Sequence, residues 1–194
     1  MNLKDVIIHE SLKLFSLQGF INTSVTDIIE AASTSKGGFY NHFASKEELF
    51  LEVLAEGQNI WRERTLEGLE AIESPVGKIK KLLENYKDRY LSDSDNFPGG
   101  CIFVTLSVEL DDQLPHLCNE VKKGFVGLKG MLKRLLIEGQ ERGELRKDVN
   151  PSVVTELLFS GMLGTSIIFG MDKTTECLDR SINALIDHLE ELKI

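Results

Sequence analysis

Apolar positions recur at helical spacing along almost the whole chain. Over residues 3–17, Leu3, Ile7, Leu14 and Phe15 share a face with Ser11, and Gly19 follows as a stop, which predicts a first helix. Ser24 with Asp27 three residues on reads as a capping box, the hydroxyl accepting from the third backbone N–H, and opens a second helix over 24–31. Ser35 caps a third helix, which must be short because Ser45 and Glu48 form another box ten residues later and open a fourth. Ser74 and Pro75 then supply an N-cap and a first helical residue, with Val76, Ile79, Leu83, Tyr86 and Tyr90 on one face. The stretch 92–100, SDSDNFPGG, is a loop.

Beyond that loop, CIFVTLSVELDD has strand propensity in Ile102, Phe103, Val104 and Thr105, yet no other stretch offers a partner strand, so a buried helix is expected. Pro115 opens a long helix with Val121, Phe125, Leu128, Leu132 and Leu135 stepping by 4, 3, 4, 3, closed by Gly143. Asn150 and Pro151 start the next. Val154, Leu158, Gly161, Thr165 and Ile168 repeat the same spacing, as do Leu178, Ile182, Leu185, Leu189 and Leu192. Two such narrow seams suit helix-on-helix packing, either to complete the core of one chain or to form a four-helix interface with a two-fold mate. The fold class expected is therefore all-α.

Composition narrows the function. The chain has 194 residues, 42% hydrophobic and 27% charged, enough for one sizeable core or two modest ones, and no internal repeat is evident. A net charge of −9 excludes nucleic-acid binding through bulk charge, so any such binding must be local and geometric. Residues 1–50 hold Lys4, Lys13, Lys36 and Lys46 and no Arg, against Asp5, Glu10, Asp27, Glu30, Glu47 and Glu48, which predicts a shallow salt dependence. No uninterrupted apolar run approaches the length of a membrane span, and the N-terminus carries acids and His where a signal peptide is apolar, so a cytoplasmic location and no membrane partner are expected.

Catalytic and metal signals are weak. Cys101, Cys118 and Cys177 lack paired spacing, and His9, His42, His116 and His188 lie far apart, so neither a disulfide framework, nor a metal site, nor a cofactor is expected. Ser33 and Lys36 have S-x-x-K spacing without its supporting motifs, Asp111 and Asp112 read as helix-end acids, and no nucleophile elbow or phosphate-binding loop is present. No enzymatic activity is predicted.

The chemistry concentrates instead in SKGGFYNHF. Helices two and three, joined by a tight turn, make a helix-turn-helix, whose last helix enters the major groove of DNA. Gly37 and Gly38 weaken that helix by roughly 1 kcal/mol each relative to Ala, a cost consistent with main chain approaching another molecule closely. Ser35, Lys36, Tyr40, Asn41 and His42 add hydroxyl, ammonium, phenol, amide and imidazole groups on the same exposed face.

Residues 7–53, from IIHESLKLF through GF, TSVTDI and SKGGFYNHFASKEEL, resemble the DNA-binding domain of the tetracycline-repressor (TetR) family of bacterial transcriptional regulators. The resemblance is looser over EGQERGELRKDVNPSVV at 138–154 and the helix after it. It implies that Thr23 and Ser24 touch phosphate and cap helix two, and that Thr26 faces DNA. It further implies that Ser35, Lys36, Gly37 and Gly38 enter the groove, that Tyr40, His42 and Lys46 meet phosphates, and that Phe39 and Phe43 pack inward. Ser33 stands where the family usually has Gly, so a left-handed residue is expected there. The implied layout is a DNA-binding domain at 1–48 and an effector-binding and dimerisation domain at 49–194.

By the same resemblance the protein is a ligand-responsive repressor that binds a palindromic operator as a homodimer and is released by a small molecule of apolar or mixed character. Candidates to line its cavity are Trp61, Tyr86, Tyr90, Phe97, Cys101, Phe103, Phe125, Phe159, Met162 and Phe169, against the simpler assignment of each to ordinary core. Cys101, at a predicted helix start after FPGG, resembles the reactive position of some electrophile-sensing members, so a redox or electrophile switch is an alternative. Another is a helical-bundle ligand-binding protein whose N-terminal unit has lost DNA binding.

Overall fold

The computed structural model describes residues 2–194. Among them it has nine α-helices: α1 (Leu3–Gln18), α2 (Val25–Ala31), α3 (Lys36–Tyr40), α4 (Lys46–Leu66), α5 (Pro75–Asn85), α6 (Ile102–Leu110), α7 (Pro115–Glu141), α8 (Pro151–Asp172) and α9 (Thr175–Glu191). No strand occurs among the described residues; one isolated antiparallel bridge joins Leu145 and Lys193. The all-α class holds, and the strand-like stretch after Cys101 is indeed helical because burial overrides propensity there, with Ile102, Phe103, Leu106 and Leu110 all inside. The face predicted to continue from Val76 to Tyr90 does not stay α-helical: Tyr86–Leu91 form a π-helical turn that ends α5.

The described chain packs as two compact units. The first takes residues up to Ile60 and adds Asp93–Lys123. Its core joins Ile7, Leu12 and Phe15 of α1, Ile28 of α2, Phe39 of α3 and Leu49, Phe50 and Val53 of α4 to Ile102, Phe103, Leu106 and Leu110 of α6. Phe20 sits edge-on to both Phe15 and Phe50, with centroids 5.4 and 5.1 Å away. At Gly57 α4 runs beside α1 and α6, where a Cβ would make ordinary contact with Leu12 Cδ1 at 3.4 Å and Phe103 Cζ at 3.6 Å.

The second unit takes Trp61–Ser92 and Gly124–Ile194. Val76, Ile79, Leu82 and Leu83 of α5 face a core shared with Leu132 and Leu136 of α7, Leu158 and Met162 of α8, and Leu178, Ile182 and Leu189 of α9. Gly161 permits close contact of α8 with α9, since a Cβ there would lie 2.6 Å from Leu185 Cδ2. α8 is long and apolar enough to cross a membrane by length and composition alone; its inner face packs within this unit.

The C-terminal seams need correcting in register. Val154, Leu158, Thr165, Leu178, Ile182 and Leu189 are buried inside the chain, and Gly161 and Leu185 meet each other, so these positions serve the protomer's own packing. Of the candidate interface residues on α8, Ile168 is exposed. The outward stripe of α8 is shifted by about one residue: Val153, Leu157, Ile167, Ile168 and Met171 are exposed, and a Cβ on Gly164 would meet nothing.

Candidate nucleic-acid interface

Local capping chemistry sets the geometry of residues 19–48. α1 stops at Gly19, whose φ of 81° is positive. Ser24 caps α2: its hydroxyl accepts from Asp27 N–H at 3.1 Å, while the Asp27 carboxylate accepts from Ser24 N–H at 2.7 Å. The Ser24 backbone N–H, and after it the Ser24 hydroxyl acting as a donor to the carboxylate, hold the Asp27 carboxyl below its ordinary range. The turn into α3 passes through Ser33 at φ 48°, the left-handed residue expected at this position. Ser35 caps α3 by accepting from Gly38 N–H at 3.0 Å. Ser45 and Glu48 then open α4, Ser45 accepting from Glu48 N–H at 3.1 Å and Glu48 accepting from Ala44 N–H at 2.6 Å.

α3 is anchored by two aromatic residues and leaves the rest of its surface free. Phe39 and Phe43 are buried, whereas Ser35, Lys36, Gly37, Tyr40, Asn41 and His42 are exposed together on one short element, and Thr26 is exposed on the first turn of α2. A Cβ on Gly37 would find Ser35 Oγ at 3.8 Å and nothing nearer, so the main chain is open to a close outside approach. Gly38 differs. A Cβ there would strike the Thr34 hydroxyl, which would have to turn aside, so this glycine also answers to packing within the chain.

Two expected phosphate ligands are committed elsewhere. Thr23 is fully buried; its hydroxyl donates to the Gly19 carbonyl at 2.6 Å and accepts from Gln18 Nε2 at 3.2 Å. Lys46 is half-buried, its ammonium donating to the carbonyls of Phe20 and Thr23 at 2.8 Å each, and burial lowers its basicity. Lys4 pairs with Glu52 at 3.0 Å and Lys13 with Glu10 at 3.1 Å. Of the four lysines among residues 2–50, Lys36 is left for an outside anion. Glu109, which the sequence pattern did not single out, accepts from the N–H groups of Phe20 and Ile21.

The candidate cavity residues are distributed over both units. Phe97, Cys101 and Phe103 belong to the first unit and are buried there, Cys101 at the start of α6 with 7% exposure. Trp61, Tyr86, Tyr90, Phe125, Phe159, Met162 and Phe169 belong to the second. There Tyr86 and Tyr90 stack at 5.5 Å, and Phe125 meets Phe159 edge-on at 5.4 Å. The Tyr86 hydroxyl donates to the Met162 carbonyl at 3.3 Å and hydrogen-bonds the Ser166 hydroxyl, a buried polar cluster next to the Tyr86–Tyr90 stack.

Residues 7–53 match the family model described as bacterial regulatory proteins, tetR family, and residues 75–185 match that of the tetracyclin repressor-like C-terminal domain. The chain is similar to the HTH-type transcriptional repressor DhaR of Mycobacterium sp. (strain GP1), 27% identical over 183 residues that cover 94% of this chain and 90% of that one. A TetR transcriptional regulator from Chloroflexus aurantiacus J-10-FL has the same fold with a TM-score of 0.90 and 26% identity, covering 98% of this chain and 96% of that one. AibR, solved in complex with isovaleryl coenzyme A and operator DNA, shares the fold with a TM-score of 0.76 at 18% identity, covering 95% of this chain and 98% of that one. An exposed helix-turn-helix at one end and a C-terminal domain model covering more than half the sequence lead to one assignment: the chain belongs to the TetR family of transcriptional regulators.

Proposed function

We propose that the protein is a cytoplasmic repressor that binds a palindromic operator as a homodimer and is released by a small molecule. The observation that carries the reading is α3 itself, which leaves Gly37 bare beside exposed Lys36, Tyr40, Asn41 and His42 while Phe39 and Phe43 hold it to the core. In this reading residues 1–48 contact DNA and residues 49–194 sense and dimerise. Ser35, Lys36 and Gly37 meet the groove, and Thr26, Tyr40 and His42 meet flanking phosphates.

The second copy is placed against the outer stripe of α8, Val153, Leu157, Gly164, Ile167, Ile168 and Met171, because an apolar row of that length on a long helix gains most by burial against its own two-fold mate. An apolar or mixed effector fits the aromatic surroundings of Tyr86, Tyr90, Phe125 and Phe159. It need only bind better to the dimer whose α3 helices are wrongly spaced for DNA, and operator affinity then falls by that differential.

Fluorescence anisotropy with a duplex from the gene's own upstream region and a scrambled duplex, across a salt series, tests the reading. Sequence-dependent binding of two protomers per site, with a shallow salt slope, is expected. A folded dimer that binds both duplexes equally would leave a helical-bundle ligand-binding protein in its place.

A further inference from the structure

The corner between α1 and α2 is gripped at one residue by two charged side chains from different helices. On one side the Glu109 carboxylate, near the end of α6, accepts from the backbone N–H of Phe20 at 2.7 Å and of Ile21 at 2.9 Å. On the other, the Lys46 ammonium, at the first residue of α4, donates to the carbonyls of Phe20 and Thr23 and lies 4.1 Å from the centroid of the Phe20 ring. Phe20 thus has its N–H tied to α6, its carbonyl and ring tied to α4, and the ring edge-on to Phe15 of α1.

The grip is fitted to the backbone. A Cβ on Gly19 would land on the Glu109 carboxylate, so the corner is shaped to receive it. The same segment of chain holds α1 a second time: Gly99 N–H donates to Ser16 Oγ at 3.2 Å, and a Cβ on Gly99 would collide with the Ser16 carbonyl. Yet the corner is already closed by its own bonds, Thr23 N–H to the Phe20 carbonyl at 3.3 Å and the Thr23 hydroxyl to the Gly19 carbonyl. The charged groups add orientation to a turn that also has bonds of its own.

We propose that Glu109 is a positioning residue for operator binding: through the amides of Phe20 and Ile21 it fixes the direction in which α2, and with it α3, leaves the corner. The inference rests on the operator reading above. It also carries a sign. Removing an acid from an acidic DNA-binding protein strengthens duplex binding if charge alone matters, because phosphate repulsion falls. Removing Glu109 weakens it, because the orphaned corner samples directions that do not fit the groove.

The test uses the whole chain and the variants E109Q, E109A and E30Q, the last removing an exposed acid of α2 as a charge control. Operator anisotropy, thermal melts and amide exchange at Phe20 and Ile21 are read on each. Gln keeps one acceptor oxygen, so E109Q is expected to fall between wild type and E109A. The expected loss for E109A is about ten-fold in operator affinity, with an unchanged salt slope, at temperatures where the melt shows it fully folded. The Phe20 and Ile21 amides are expected to exchange faster, and E30Q to bind as well as wild type or better. Faster amide exchange with operator affinity unchanged or raised overturns the proposal, as does a loss that only tracks the unfolded fraction. A wild-type protein that does not distinguish operator from scrambled duplex overturns the operator reading and this inference together.

Discussion

The Lys46 ammonium donates to the carbonyl of Phe20 at 2.8 Å while lying 4.1 Å from the centroid of the same residue's ring. A cation held this way by two carbonyls and an aromatic face is a fastener of the α1–α2 corner. Burial lowers its basicity, and the charges of Glu109 and Asp27 restore part of it. Replacing it with Met keeps much of the apolar stem and removes the donors. K46M is expected to lose about 1–3 kcal/mol of stability in urea unfolding. Operator affinity falls as the corner loosens, but the slope of log affinity against log salt stays unchanged. A phosphate ligand would instead take about 0.9 off that slope.

Gly37 and Gly38 are adjacent and answer to different constraints. G37A places its methyl in open space on the outer face of α3, so the free protein is expected to gain about 0.5–1 kcal/mol from better helix propensity. Its operator affinity drops by about five- to 150-fold if main chain meets the duplex there, since the methyl then costs a close contact or base-edge bond of about 1–3 kcal/mol. G38A pushes against Thr34 Oγ1 and loses stability as well. Paired melts and anisotropy titrations of the two variants separate a glycine kept for DNA from one kept for the fold.

Much of the helix-turn-helix was readable from local chemistry, because caps act over three residues. Ser24 with Asp27, Ser35, and Ser45 with Glu48 all engage as their spacing predicts, and Ser33 takes the left-handed backbone that its place in the turn demands. What escaped the sequence depends on distance along the chain. Glu109 lies 89 residues from Phe20, and no periodicity links them. Thr23 and Lys46 carry polar groups that serve a surface or a corner equally well until the corner is built. α8 posed a different difficulty: apolar almost all round, it offers two stripes one residue apart, and spacing alone cannot say which turns inward. Val154 and Leu158 do, leaving Val153 and Leu157 outside.

Asp27 gives the fold a defined acid sensitivity. The Ser24 backbone N–H, then the Ser24 hydroxyl, then the charge of Lys46 hold its carboxyl below the ordinary 3.8. Between the folded and unfolded titrations the unfolded chain binds more protons, so stability rises with pH across that window. The contribution is complete above 3.8 and is lost as pH falls through the folded pKa. Urea unfolding from neutral pH down to about 2.5 is expected to show a shallower acid loss in D27N than in wild type. The neutral amide keeps one acceptor for the Ser24 N–H and has no such titration.

The offset of the two stripes on α8 makes the dimer testable with neighbouring leucines. Leu157 is 45% exposed in the single chain and Leu158 is fully buried. L158A removes a core side chain and is expected to cost about 2–5 kcal/mol while the protein still sediments as a dimer. L157D leaves the protomer's own core untouched and puts a charge into the face assigned to the second copy, where its mate brings the same charge to the same patch. It is expected to sediment as a helical monomer over the concentrations at which wild type is dimeric. Because one monomer presents one α3 to one half-site, its operator affinity is expected to fall further than that of L158A, although Leu157 is remote from α3 in sequence and the residues proposed to contact DNA are unchanged. If the two variants behaved the other way round, the interface would follow the inner seam through Leu158, and α8 would have to turn on its axis when two chains meet.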